Sequence, residues 1–126
     1  ELPHSEMARQ TQLDYDRDMA FLAIVPEGPE AGDIHGIVQV VIDPNNEHAE
    51  YAIMVRSDIK GRGLGRILME KMIEFCRQKG TETFIGQVLP DNRRMLTLCE
   101  KLGFSRKYLA DEEVFEVTLP LQRDVA

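Results

Sequence analysis

The chain has 126 residues, 43% of them hydrophobic, and a formal net charge of −7, which suits one ordinary core and is too short for two domains of typical size. The acidic balance repels phosphate backbones and anionic lipid, so neither nucleic acid nor a membrane is an expected partner. No apolar run approaches the roughly 18 residues that cross a bilayer, and Cys76 and Cys99 lack the paired spacing of a disulfide framework or a zinc site, which fits a cytoplasmic protein.

In chain order, Ser5 to Leu13 is expected as a short helix with Ser5 as its N-cap, and Met19 to Val25 as an apolar strand. Pro26 to Asp33 concentrates proline and glycine and predicts a hairpin connection. Ile34 to Ile42 follows as a second strand, Asp43-Pro44-Asn45-Asn46 as a turn, and Ala49 to Val55 as a third strand, together an antiparallel meander. From Gly63 the period changes. Leu64, Leu68, Met72 and Phe75 form one helical stripe, widened by Ile67, Ile73 and Cys76 and stopped at Gly80. Thr83 to Leu89 is strand-like, and Asp91 or Asn92 caps a second helix that turns Met95, Leu96, Cys99 and Leu102 inward and ends at Gly103. Phe104 to Tyr108 and Val114 to Leu119 supply two more strands around the acidic turn Asp111-Glu112-Glu113. The class is α/β (α+β), a single domain over residues 1–126 with one central sheet flanked by helices.

Between the third strand and the first long helix lies Lys60-Gly61-Arg62-Gly63-Leu64-Gly65-Arg66. Glycines there let the backbone bend and present its N–H groups beside the positive end of a helix dipole, an arrangement that cradles anions. Arg56, Lys60, Arg62 and Arg66 crowd the same stretch of an otherwise acidic chain and favour a phosphate-bearing ligand. It is not the nucleotide P-loop, because no lysine-serine or lysine-threonine pair follows the second glycine. The alternative is a solvated turn capping a helix.

Lys60-x-x-Gly63-x-Gly65 after a strand resembles the pyrophosphate signature of the GNAT superfamily of acyl-CoA-dependent N-acyltransferases, with lysine where that family usually has glutamine or arginine. A second landmark of the family is similar too, with Asn92 opening a helix that ends in Glu100-Lys101-Leu102-Gly103-Phe104. Longer stretches, Thr11 to Phe21, Ala49 to Asp58 and Gly86 to Leu96, resemble bacterial protein lysine acetyltransferases in which this domain is fused to an acyl-CoA-synthetase-like domain. The resemblance implies a mixed, mostly antiparallel sheet whose first strand and first helix would precede Glu1, so that the chain is part of something longer.

It also implies a site. Acetyl-CoA would be held by Met54, Val55, Lys60, Gly61, Arg62, Gly63, Leu64, Gly65, Arg66 and Asn92, with a backbone amide near Met54 or Val55 facing the thioester oxygen. Glu50 resembles the general base, and Glu47 is its nearby rival. A lysine amine has an ordinary pKa of about 10.4 and must lose a proton before it attacks a thioester. Where many relatives carry a tyrosine that protonates the departing thiolate, this chain has Cys99, read as a packing residue. The implied partner is a protein bearing the target lysine, an AMP-forming acyl-CoA synthetase. The rival functions are acetylation of a small amine and noncatalytic acyl-CoA sensing. His4, His35 and His48 are scattered without ligand spacing, are read as surface or turn residues, and no metal is expected. The dense Asp14, Asp16, Arg17 and Asp18 cluster is a solvated face or a docking patch for a basic segment.

Overall fold

The computed structural model describes residues 7–14, as backbone, and residues 18–122. In chain order the elements are β1 (Met7–Asp14), β2 (Asp18–Ile24), β3 (Ile34–Ile42), β4 (His48–Val55), α1 (Leu64–Gln78), β5 (Thr83–Val88), α2 (Arg93–Leu102), β6 (Ser105–Leu109) and β7 (Val114–Pro120). The strands form one seven-stranded sheet in the order β1-β2-β3-β4-β5-β7-β6. All neighbours are antiparallel except β4 and β5, which run parallel.

The helix expected over Ser5 to Leu13 is not formed. Met7–Asp14 is instead a strand paired from Met7↔Ile24 to Asp14↔Asp18 with β2. Pairing with the apolar neighbouring strand β2 satisfies one side of this edge strand from Met7 to Gln12 and again at Asp14, and it outweighs the weak local preference for a helix. Ser5, Asp16 and Arg17 lie outside the described residues. Asp14 and Asp18 close the β1–β2 pair opposite one another.

Both helices lie on one face of the sheet. That face is built from Met19, Phe21 and Ala23 on β2, Val38 and Val40 on β3, Ala49 and Tyr51 on β4, and Phe84 on β5, the alternate residues that a strand turns to one side. Leu64, Leu68, Met69, Met72, Ile73 and Cys76 of α1 are buried against it. Gly36 of β3 lets the helix approach closely, because a Cβ there would meet Leu68 Cδ1 at 3.1 Å and Leu64 Cδ2 at 3.3 Å. The far end of α1 is tied down by polar contacts. Thr81 Oγ1 donates to Asn46 Oδ1 at 2.6 Å, and Arg77 Nε donates to the Leu121 carbonyl at 3.0 Å. The opposite face, with Gln39, Val41, Glu50, Ala52, Met54 and Gln87, carries no helix among the described residues.

What positions the site is the incompleteness of the β4–β5 pair. Parallel pairing covers only His48–Glu50 with Thr83–Ile85, although β4 continues to Val55 and β5 to Val88. The strands diverge beyond it. Tyr51, the next residue of β4, lays its ring parallel to Phe84 with centroids 5.2 Å apart, directly over Gly86 of β5, where a side chain would overlap it. Phe104 meets both rings edge-on. This aromatic wedge fills the apex of the opening and seats α2, whose Cys99 Sγ lies 3.6 Å from the Tyr51 hydroxyl.

Candidate active site

The divergence of β4 and β5 opens a cleft of about 990 Å³. One wall is Ile53, Met54 and Val55 of β4 with the turn that follows, and the other is Asp91 to Met95, Thr97, Leu98 and Lys101 from the start and outer face of α2. A 3-10 turn over Ser57–Ile59 leads from β4 into the glycine loop and buries Ile59 as its anchor.

Gly61 and Gly63 have φ of +87° and +86°, the left-handed region that side chains resist, so these glycines set the path of the loop. Gly63 is the N-cap of α1 and offers no capping side chain. The first-turn N–H groups of α1 therefore lack intrahelical partners and point at the cleft with the positive end of the dipole behind them. A Cβ on Gly63 would meet nothing within 4 Å. That open space is where an anion could approach the amides.

The charges are distributed differently from the expected cluster. Arg56 does not belong to it, because its guanidinium donates to both carboxylate oxygens of Asp58, at 2.9 Å and 2.6 Å, and lies 3.8 Å from Asp33. This hydrogen-bonded pairing outweighs partial desolvation and holds the Asp58 carboxyl below the usual range. Arg66 lines the cleft and also donates to Glu70 one turn on, at 3.1 Å. Lys60, Gly61, Gly63, Leu64, Gly65 and Asn92 line it as well, whereas Arg62 is exposed outside the lining. Asn92 caps α2 by accepting from the Met95 N–H at 3.2 Å.

Arg94, Thr97, Leu98 and Lys101 are lining residues that the sequence reading passed over. Arg94, Thr97 and Lys101 follow one another at helical spacing on the exposed side of α2, and that polar stripe was the signal available, whereas Leu98 is half-buried against the core.

Backbone direction along β4 separates Met54 from Val55. The Arg56 N–H donates to the His35 carbonyl of β3 at 2.9 Å, and β4 pairs with β3 without a bulge. Amide directions alternate along such a strand, so the Met54 N–H faces β3 and those of Ile53 and Val55 face the opening. Glu50 lies at the last paired position, exposed on the helix-free face between Val41 and Ile85, and is not among the residues lining the cleft. Glu47 is exposed just before β4.

Cys99 is on the other side of α2 from the cleft. Burial pushes its thiol up, against the lowering effect of its contact with Tyr51, and its sulfur lies 3.7 Å from Met95 Sδ. His35 is buried at 8% exposure within β3, not a surface or turn residue, with its Nε2 3.9 Å from a carboxylate oxygen of Glu30. His48 does lie at a turn. With Asp43 and Glu47 it brings donor atoms within 4.8 Å of one another, but the Asp43 carboxylate is taken up by that turn, accepting from the Glu47 and His48 amides at 2.7 Å and 3.2 Å. His4 lies outside the described residues.

Comparison with known proteins agrees with this geometry. The model of the Acetyltransferase (GNAT) family matches residues 1–104. An acetyltransferase of Pseudomonas aeruginosa is 33% identical over 92 residues, covering 73% of this chain and 49% of the relative. Acetyltransferase Pat of Mycolicibacterium smegmatis is 37% identical over 59 residues, which is 47% of this chain and 18% of the relative. The crystal structure of the GNAT domain of S. lividans PAT superposes with a TM-score of 0.74 at 23% identity, covering 88% of this chain and 65% of that one. The chain thus spans half or less of the length of these two curated relatives.

Proposed function

The chain belongs to the GNAT acetyltransferase family, and from that premise we propose that it transfers an acetyl group from acetyl-CoA to the ε-amine of a lysine on a protein. The observation that carries this reading is the cleft between the end of β4 and α2, beyond the point where β4 and β5 part, which joins a glycine loop and unpartnered helix amides at its mouth to inward-facing strand amides. These features fit a long ligand with an anionic end. Phosphates suit the loop and the first turn of α1, and a narrow acyl-bearing arm suits the gap between the strands.

Acetyl-CoA supplies the thioester carbon at which the amine attacks. The chain's residues provide the rest. Glu50 takes the proton that a lysine ammonium must lose at neutral pH, directly or through a water. The Val55 N–H, directed into the opening, donates to the carbonyl oxygen as charge builds on it. Holding cofactor and amine together supplies a further share of the rate. Cys99 faces the core, so the departing thiolate takes its proton from solvent.

A protein substrate is favoured over a small amine by the setting of Glu50, which stands on an exposed sheet surface beside Val41 and near Met54, 57% and 73% exposed, and not inside an enclosed pocket. The resemblance to lysine acetyltransferases adds an AMP-forming acyl-CoA synthetase as the target to test first. The experiment is to incubate the protein with acetyl-CoA and separate pools of proteins and small amines, and to follow CoA release. Release with the protein pool, accompanied by acetyl-lysine, is expected. Release only with small amines would replace the substrate, and binding without release would leave an acyl-CoA sensor.

A further inference from the structure

Glu50 is not alone on its side of β4. Strand alternation sets His48, Glu50, Ala52 and Met54 on the helix-free face, with Ala49 and Tyr51 buried on the other. His48 is the first residue of the strand, opposite Thr83, the first residue of β5, and the β3–β4 turn lies immediately before it. It therefore stands at the rim of the face, about 6.6 Å along the backbone from Glu50. We propose that His48, oriented by Asp43, is a proton relay that empties Glu50 when a docked protein covers this face; this rests on the reading of Glu50 as the base of a protein acetyltransferase.

The relay is built into the turn. Asp43 Oδ1 accepts from the Glu47 and His48 amides at 2.7 Å and 3.2 Å, and Asp43 Oδ2 lies 3.1 Å from Nδ1 of the His48 ring. Against partial desolvation, these amide and ring hydrogen bonds hold the Asp43 carboxyl below its usual range, so it stays ionised beside the ring. A carboxylate oxygen can only accept. Nδ1 therefore carries a hydrogen, and the lone pair of the neutral ring is on Nε2. No described residue bonds to Nε2, and the His48 side chain is 53% exposed. An imidazole held in one tautomer by a carboxylate, with its other nitrogen open, is arranged to take up and release a proton.

Its place decides what it serves. A protein laid over Val41, Glu50 and Met54 excludes the water that would otherwise take the proton from Glu50, while the rim at His48 stays wet. Glu50 takes one proton from the lysine ammonium and passes it through a water to Nε2. The imidazolium, facing the Asp43 carboxylate, then loses that proton from Nε2 to solvent. The second proton, lost from nitrogen as the tetrahedral intermediate collapses, balances the one that the CoA thiolate takes from solvent.

The test is steady-state acetylation of an acceptor from the protein pool by the wild-type chain, His48→Asn, His48→Ala, Glu50→Gln and the double variant Glu50→Gln/His48→Asn. Asparagine keeps an N–H for Asp43 and removes Nε2, so the melting temperature of His48→Asn should match wild type. Its kcat should fall roughly 10- to 100-fold, with KM for the acceptor and acetyl-CoA affinity unchanged. Imidazole added to His48→Ala should restore part of the lost turnover, which a purely structural role would not allow. The double variant should be no slower than Glu50→Gln alone, because the relay acts only through Glu50. Wild-type turnover by His48→Asn would overturn the proposal, as would a loss confined to KM, a failure of imidazole to restore any turnover to folded His48→Ala, or a further loss in the double variant. A wild-type chain that acetylates nothing in the protein pool would overturn the reading on which the relay rests.

Discussion

Replacing Gly63 separates backbone strain from obstruction of the cleft. At φ +86° any side chain costs about 1–2 kcal/mol in left-handed backbone. For a domain of this size that lowers the melting temperature by roughly 3–10 °C. The new Cβ meets no protein atom within 4 Å, so no clash adds to the strain, and the side chain instead occupies the space before the first-turn amides of α1. If a phosphate needs those amides, Gly63→Val removes at least one contact to a charged group, about 1.5–3 kcal/mol, and weakens acetyl-CoA binding by about 10-fold to more than 100-fold. Gly32 of the β2–β3 connection supplies the control. Its φ is +93° and a Cβ there would likewise meet nothing within 4 Å, but it is remote from the cleft in sequence and absent from its lining. Gly32→Val should carry a similar stability cost and leave binding untouched. Calorimetry with acetyl-CoA, beside thermal melts of both variants, reads the two effects separately. Unchanged affinity in folded Gly63→Val, or an equal loss of affinity in Gly32→Val, would refute the reasoning.

Three further outcomes follow from residues buried in the core. Gly86→Ala drives a methyl into the Tyr51 ring and should destabilise the fold by about 1–3 kcal/mol, the usual cost of overpacking, measured by denaturant titration; a neutral effect would mean that Tyr51 has room to move aside. Burial pushes the Cys76 thiol up to about 12 and raises that of Cys99 as well. Both thiols should therefore stay protonated and resist alkylation near pH 8 until the protein unfolds, and Cys99→Ala should lower turnover less than about 10-fold. A loss beyond about 100-fold with intact folding and binding would instead make Cys99 a proton donor.

Much of the architecture was legible from local chemistry. Ile34–Ile42 is apolar throughout most of its length and bounded by turn residues, and it forms β3 over those residues. Asn92 caps α2 and Gly103 ends it in the left-handed conformation, as their side chains or lack of one predict. Met69 lies in the buried stripe of α1 where Ile67 and Phe75 were expected, because the stripe widens on the side of Met69 and leaves those two half-buried. The failures share a cause in long-range contacts. Nothing within Met7–Asp14 announces that β2 will pair with it. Arg56 counts toward a basic cluster in sequence but is claimed by Asp58 and Asp33, the latter 23 positions earlier. The glycine loop could be read from spacing, but the cleft could not. It depends on Tyr51 overlying Gly86 and on pairing that stops at Glu50 and Ile85, contacts between segments about 35 residues apart.

The most direct test of the account is Glu50→Gln assayed on a protein lysine. The amide keeps the shape of the side chain but cannot accept the substrate's proton near neutral pH. Because Glu50 is exposed and outside the cofactor cleft, acetyl-CoA affinity should be unchanged while turnover at pH 7 falls by roughly two to four orders of magnitude. The deficit should narrow as pH rises toward about 10.4, where more of the lysine arrives already neutral. Wild-type turnover by Glu50→Gln at pH 7, with acetyl-lysine formed at the normal rate, would contradict the account.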